Sequence, residues 1–270
     1  MTKKILLSLG LAATTSNGAI SLIAHYTFDA DATTATVGTN GTAGASASHT
    51  TGDWAVGGGA LNLDGTAGAA AGNAGLVGGD SFTWTDDRRV IAFWMKGAAQ
   101  SSAQPPTMIS LGSGSASGAR FDVNLTGASD NLLRAEVQGG GTSTAVNLLS
   151  DSWLHVTIVV NTDGANLSNT TYYVHDQLGA SVATANFTDT RALVTGAGPL
   201  RIGDSFQGGE REFTGLIDDV RLYNDDGVGA FTFGASDAQA LALQFDGVPE
   251  PSSTALLGLG GLALLLRRRK

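Results

Sequence analysis

Phe213-Thr214-Gly215-Leu216-Ile217-Asp218-Asp219-Val220-Arg221-Leu222-Tyr223 is the stretch on which the fold turns. It is rich in β-branched and aromatic residues, with a glycine, Gly215, near its start, so it reads as a strand. Strand side chains alternate between two faces. Leu216, Asp218, Val220 and Leu222 then share one face, and Ile217, Asp219, Arg221 and Tyr223 the other. The first face is apolar and is expected to point into a core. That expectation carries Asp218 inward, which is costly for a carboxylate unless it is paired, hydrogen-bonded or bound to a cation.

Similar runs extend back from it. Leu22–Phe28, Ala60–Leu63, Arg89–Lys96, Thr107–Leu111, Ala119–Leu125, Leu132–Val137, Trp153–Asn161, Thr170–His175 and Pro199–Ile202 are short, apolar or alternating, and bounded by Gly, Asn or Asp. Many short strands with Gly-rich turns predict an all-β, antiparallel sandwich of jelly-roll type. One short helix is expected near the end, where Ser236 and Gln239 have capping-box spacing ahead of Ala240-Leu241-Ala242-Leu243.

Composition agrees. Charged residues are 14% of the 270, hydrophobic residues 42%, and glycines number 38. Cysteine is absent, which excludes thiol nucleophiles, iron–sulfur clusters and Cys-type zinc sites. Between residues 19 and 249 there are 9 basic and 23 acidic side chains, a net of −14, and Lys96 is the only lysine. Nucleic-acid binding needs clustered cationic groups, so that partner is excluded. Neutral glycans or cations suit the surface.

The ends read as addresses. Lys3-Lys4 before Ile5–Ala13 is a positive n-region and a short apolar stretch, so residues 1–19 are expected to be a signal peptide cut after Gly18 or Ala19. Residues 20–247 form the domain and residues 248–270 a separate tail. In that tail Val248-Pro249-Glu250-Pro251 is a stiff break, Thr254–Leu266 is apolar, and Arg267-Arg268-Arg269-Lys270 is basic. The apolar part is shorter than the roughly 20 residues that span a bilayer comfortably, which suits transient membrane insertion. The tail resembles the PEP-CTERM sorting signal of Gram-negative bacteria. The resemblance implies recognition at Pro249, Glu250 and Pro251 by an exosortase-type transpeptidase, then release to the cell surface or extracellular matrix. A simple C-terminal membrane anchor is the plainer reading.

The domain resembles the LamG-like, concanavalin A-like jelly-roll family. The segments that carry it are His25–Asp29, Gly58–Gly65, Val90–Lys96, Trp153–Thr157, Tyr172–Asp176, Leu200–Asp204 and Phe213–Tyr223. The resemblance implies two antiparallel sheets face to face. It also implies a structural Ca²⁺ at Asp218, with Asp29 and the Gly59 carbonyl as co-ligands. The alternative is that Asp218 accepts hydrogen bonds from backbone N–H groups.

Trp94 and Trp153 sit in strong strand patterns and are expected in the core. Trp54 and Trp84 lie in Gly-rich, polar surroundings, where an exposed ring can stack on a sugar; loop packing is the competing reading. Catalysis is not expected. Glu136, Glu210, Glu212 and Glu250 are the only glutamates, and none has the strand spacing of a glycosidase pair. His25, His49, His155 and His175 show neither metal spacing nor a Ser/Asp partnership. The expected function is a non-catalytic binding module, for carbohydrate or for another surface protein.

Overall fold

The computed structural model describes residues 20–67, 74–82, 88–100, 104–113, 119–127, 130–160, 166–193, 197–207, 211–225 and 231–246. The leader, Trp84, Glu210 and the tail with Pro249, Glu250 and Pro251 lie outside the described residues.

Fifteen strands and one helix are described. In chain order they are β1 (Ile20–Tyr26), β2 (Thr42–Ala43), β3 (Ala47–Thr50), β4 (Ala60–Asp64), β5 (Leu76–Phe82), β6 (Arg89–Gly97), β7 (Thr107–Gly112) and β8 (Arg120–Leu125). They continue with β9 (Leu132–Val137), β10 (Gly140–Asn147), β11 (Leu154–Val160), β12 (Thr170–His175), β13 (Ser181–Asn186), β14 (Gly198–Ile202), β15 (Thr214–Asp225) and α1 (Ala235–Ala242). They form two antiparallel sheets. One runs β13-β12-β11-β6-β15-β4-β3, and the other β10-β9-β8-β7-β14-β5-β2.

β15 is the keystone of the first sheet. One of its edges pairs with β6. Its other edge is shared: Thr214–Ile217 pair with β4, and the stretch from Val220 to Asp225 pairs with β1. The first strand of the domain is thereby closed against the last.

Alternation fills the space between the sheets. Ile91, Phe93 and Met95 from β6, and Val156 and Ile158 from β11, meet Ile109, Leu111, Phe121, Val123 and Leu133 from the other sheet. The helix begins two residues earlier than its capping-box reading. Gly234 is the N-cap, and the Asp237 carboxylate accepts from the Gly234 N–H at 2.8 Å. Gln239, expected to cap, instead donates to the Gly179 carbonyl at 2.9 Å.

The helix and its flanks cover the outer face of the first sheet and make a second, smaller core. Trp94, Trp153, Ala55, Ala60 and Ala242 are buried there, with Trp54, Leu216 and Phe245 packed against them. Both tryptophans expected in the core are buried, but under the helix side of the sheet and not between the sheets.

Candidate functional site

The alternation of β15 breaks at its centre. Asp218 pairs with Trp94 and Arg221 with Ala92, so one residue is inserted. Asp219 takes φ 48, a left-handed conformation, and forms a β-bulge. Ile217, Val220 and Leu222 consequently face the main core. Leu216 joins the outer cluster. Asp218, cross-strand from the outward Trp94, lies on the outer face and not the inner one. The reading from strict period-2 alternation placed it on the wrong side, because one bulge residue inverts every position beyond it.

Asp218 is fully buried there beneath residues 53–58. Its Oδ2 accepts from the N–H groups of Ala55 at 2.8 Å and Val56 at 2.9 Å, and its Oδ1 from the Asp219 N–H at 2.7 Å. Burial pushes the carboxyl up to about 8, against the pull of these three amides. The following amides go to other carboxylates. Gly57 N–H donates to Asp246 at 2.8 Å, and Gly58 N–H to Asp29 at 2.7 Å. At the head of the loop, Asp53 accepts from Lys96 at 2.9 Å and from the Trp153 indole N–H at 2.7 Å. Four aspartates therefore fix one six-residue loop. Gly57 permits it: its φ is 80, and a Cβ there would lie 1.8 Å from the Asp29 Oδ1. Gly59 is equally confined, since a Cβ would meet the Phe28 carbonyl at 2.5 Å.

Amide hydrogens partner both of the carboxylates expected to ligate Ca²⁺. The oxygens of Asp218 already face three amide hydrogens, and one of Asp29 faces another. Among the described residues, no group of three or more His, Asp or Glu side chains is arranged to hold a metal.

Beside this loop lies a cleft of about 410 Å³, floored by the ends of β4, β6 and β15. Asn62, Asp64, Lys96, Ser150, Asp151 and Thr214 bring polar groups to it, and Gly97, Ala98 and Gly215 bring backbone. Its size suits one or two sugar rings. Lys96 and Leu216 line the cleft and also touch the loop system, Lys96 through Asp53 and Leu216 through the cluster that holds Trp54. Trp54 is half-buried in that cluster, which favours loop packing over a free stacking platform. The sequence offered no signal for the cleft, because its residues come from four separate segments.

The outer face of the second sheet carries a different arrangement. Arg120, Asp122 and Asn124 alternate along β8, and Asp122 pairs across to Glu136 of β9. Two carboxylates side by side on one face are the residue types a glycosidase pair needs. Burial pushes Asp122 up. In Glu136 burial is outweighed by Arg134 and Arg211, which hold it low. The pair is sealed, however. Arg120 donates to Glu136 at 2.5 Å, Arg211 to Glu136 at 3.1 Å and Ser205 to Asp122 at 2.9 Å, and Arg134 also donates to Glu136. Gln207 accepts from Arg120 at 2.9 Å. Residues around 204–207 and 211 thus close over the carboxylates, and all of these groups but Arg134 and Gln207 are buried.

The four histidines are also accounted for. Burial lowers His155 to about 3, against the attraction of Asp219. His25 lies 2.6 Å from Asp219, which Arg221 also grips at 2.9 Å. His175 is cross-strand from His155. The ring of His49 lies where a Cβ on Gly59 would clash.

A profile of the concanavalin A-like lectin/glucanases superfamily matches residues 77–226, and one of the PEP-CTERM protein-sorting motif matches residues 247–270. No curated protein is significantly similar in sequence. Among solved structures, domain 4 of AbnA, a GH43 extracellular arabinanase from Geobacillus stearothermophilus, in complex with arabinotriose, superposes with TM-score 0.56 at 19% identity, over 83% of this chain and 98% of that one. The Ruminococcus gnavus IT-sialidase CBM40 bound to α2,3-sialyllactose gives 0.37 at 13% identity, over 60% and 96%. The botulinum neurotoxin serotype G binding domain gives 0.45 at 12% identity, over 82% and 50%.

Proposed function

Because the chain belongs to the concanavalin A-like lectin/glucanases superfamily and carries a PEP-CTERM sorting motif, we propose that it is an exported, non-catalytic glycan-binding protein of the cell surface or extracellular matrix. The motif marks an exported protein processed by an exosortase-type transpeptidase. In this reading the tail enters the membrane only transiently, and the mature domain is left outside.

The observation that carries the binding assignment is the cleft between β4, β6 and β15. Its wall is mostly apolar, with a few polar side chains among the lining residues, Asn62, Asp64, Ser150 and Asp151, the mixture on which a sugar's C–H face and hydroxyls can both rest. Lys96 is engaged by Asp53, while Asp64 and Asp151 add negative charge, so neutral glycans are favoured over uronic or sialic acids. The arabinanase domain in complex with arabinotriose supports a saccharide ligand by analogy of fold. The sealing of Asp122 and Glu136 supports a non-catalytic role, since neither carboxylate is open to a glycosidic bond. The Asp218 and Asp29 carboxylates hold loop 53–58 by its own amides.

Binding of the exported protein to a panel of neutral and anionic polysaccharides tests this. Asp151→Ala should weaken binding to a neutral polymer about 10- to 100-fold, the effect of losing one charge-assisted hydrogen bond. Retention of a protein partner that no sugar displaces, with no polysaccharide bound, would instead favour an adhesive role.

A further inference from the structure

The last described residues are locked onto the loop that carries Trp54. The Phe245 ring lies 5.1 Å from Trp94. Asp246 N–H donates to the Ala55 carbonyl at 3.0 Å, and its carboxylate accepts from Gly57 at 2.8 Å. Pro249 follows only three residues later. Even a fully extended chain therefore places Pro249 within about 11 Å of the pinned Asp246. That is no more than the diameter of one helix. An enzyme gripping an extended peptide around Pro249–Pro251 has no room to stand clear of the domain.

The surface it meets is unusual for this protein. Leu178 is 83% exposed and Leu243 is 61% exposed, and with Val182 they are the exposed large hydrophobic side chains among the described residues. Leu178 and Leu243 lie on neighbouring segments, the 176–180 turn and the end of the helix. Leu243 rests on Gly179, where a Cβ would come within 2.7 Å of its Cδ2. Gln239 ties the helix to the same turn through the Gly179 carbonyl, and Asp176 ties the turn to itself by accepting from Leu178 and Ala180 at 2.8 Å each. Two exposed leucines thus flank the tie between the turn and the helix end, Leu243 three residues ahead of the pinned Asp246.

We infer that Leu178 and Leu243 form a docking surface for the membrane transpeptidase that processes the tail. The inference rests on the sorting reading above. The folded domain presents the tail and an adjoining apolar contact together, so recognition extends beyond Pro249-Glu250-Pro251.

The test is the precursor-to-mature ratio of the full chain, followed by pulse-chase in a host with the processing enzyme. Leu178→Asp with Leu243→Asp should slow maturation roughly tenfold, the effect of losing two buried leucines at an interface partly offset by remaining contacts. The thermal midpoint and polysaccharide binding should be unchanged. Ten Gly/Ser residues inserted between Asp246 and Gly247 should remove the dependence on the two leucines. Glu250→Ala, run in parallel, tests the sorting reading itself. If Glu250→Ala blocks maturation while the leucine pair matures at the normal rate, the docking surface is overturned and sorting stands. If maturation persists in Glu250→Ala, both are overturned.

Discussion

Asp218→Asn separates the charge of this residue from its shape. In the fold the carboxyl is raised from an ordinary 3.8 to about 8, chiefly by burial, so the folded state holds a proton that the unfolded chain has released. Such a group stabilises most fully below 3.8, and that contribution is lost as pH rises toward 8. His155 acts oppositely. Its folded value of about 3 lies below its ordinary 6.5, so its contribution is present above 6.5 and lost as pH falls toward 3. The two oppose each other below 6.5; burial also raises Asp122 and Asp204, so it is the part of the slope that Asp218→Asn removes that belongs to Asp218. Between pH 6.5 and 8 the slope of one proton is about 1.4 kcal/mol per unit, or about 2 kcal/mol in all. For a domain of this size that is a fall in midpoint of about 4–8 °C. The asparagine cannot titrate. It keeps one oxygen for the Ala55 and Val56 amides and sets an NH₂ against the Asp219 N–H, a fixed cost of about 1–2 kcal/mol. Urea or thermal melts of wild type and Asp218→Asn across that range measure both. The wild type should lose stability with rising pH and the variant should lie lower but flatter. Equal slopes would refute the assignment of the buried proton to Asp218.

Other consequences follow from the same contacts. Chelator or added Ca²⁺ should move the melting midpoint by less than about 1 °C, because amides already partner both Asp218 oxygens and one of Asp29; a clear rise with Ca²⁺ would contradict the loop chemistry. Asp218→Ala strands three buried amides and should cost about 3–5 kcal/mol, read by urea denaturation. Arg120→Leu leaves Glu136 and Asp122 short of their shared partner and should cost about 3–5 kcal/mol by the same assay, with no hydrolytic activity gained. His155→Asn should flatten the loss of stability that wild type shows as pH falls below 6.5, visible in acid melts.

Much of the frame was legible. The runs at 132–137 and 170–175 are strands to the residue, because strong apolar alternation ends at clear turn signals. β2, β3, β5, β10 and β13 escaped notice. Most of their residues are small, polar or glycine, as in Gly140–Asn147, and their pairing is set by neighbouring strands and not by their own pattern. The bulge at Asp219 was invisible for a sharper reason. A left-handed residue in a strand is held by tertiary partners, here His25 and Arg221, and these lie on a different strand or beyond the break. One residue then misdirected the reading of Asp218. The alternation Arg120-Phe121-Asp122-Val123-Asn124 was readable as a two-faced strand, but only the fold brings Ser205, Gln207 and Arg211 over its polar side. Trp54 was rightly weighed between two roles, and its packing against the Trp94–Trp153 cluster explains why composition alone could not decide.

The central claim is that the cleft beside the clasped loop, and not the sealed polar face of the second sheet, meets the glycan. Backbone amide shifts of the exported protein, titrated with the neutral polysaccharide that binds best in the panel, test it most directly. Perturbations should concentrate at residues 62–64, 96–98, 150–151 and 214–216. A footprint centred on residues 120–124 and 134–136, leaving the cleft silent, would contradict the account.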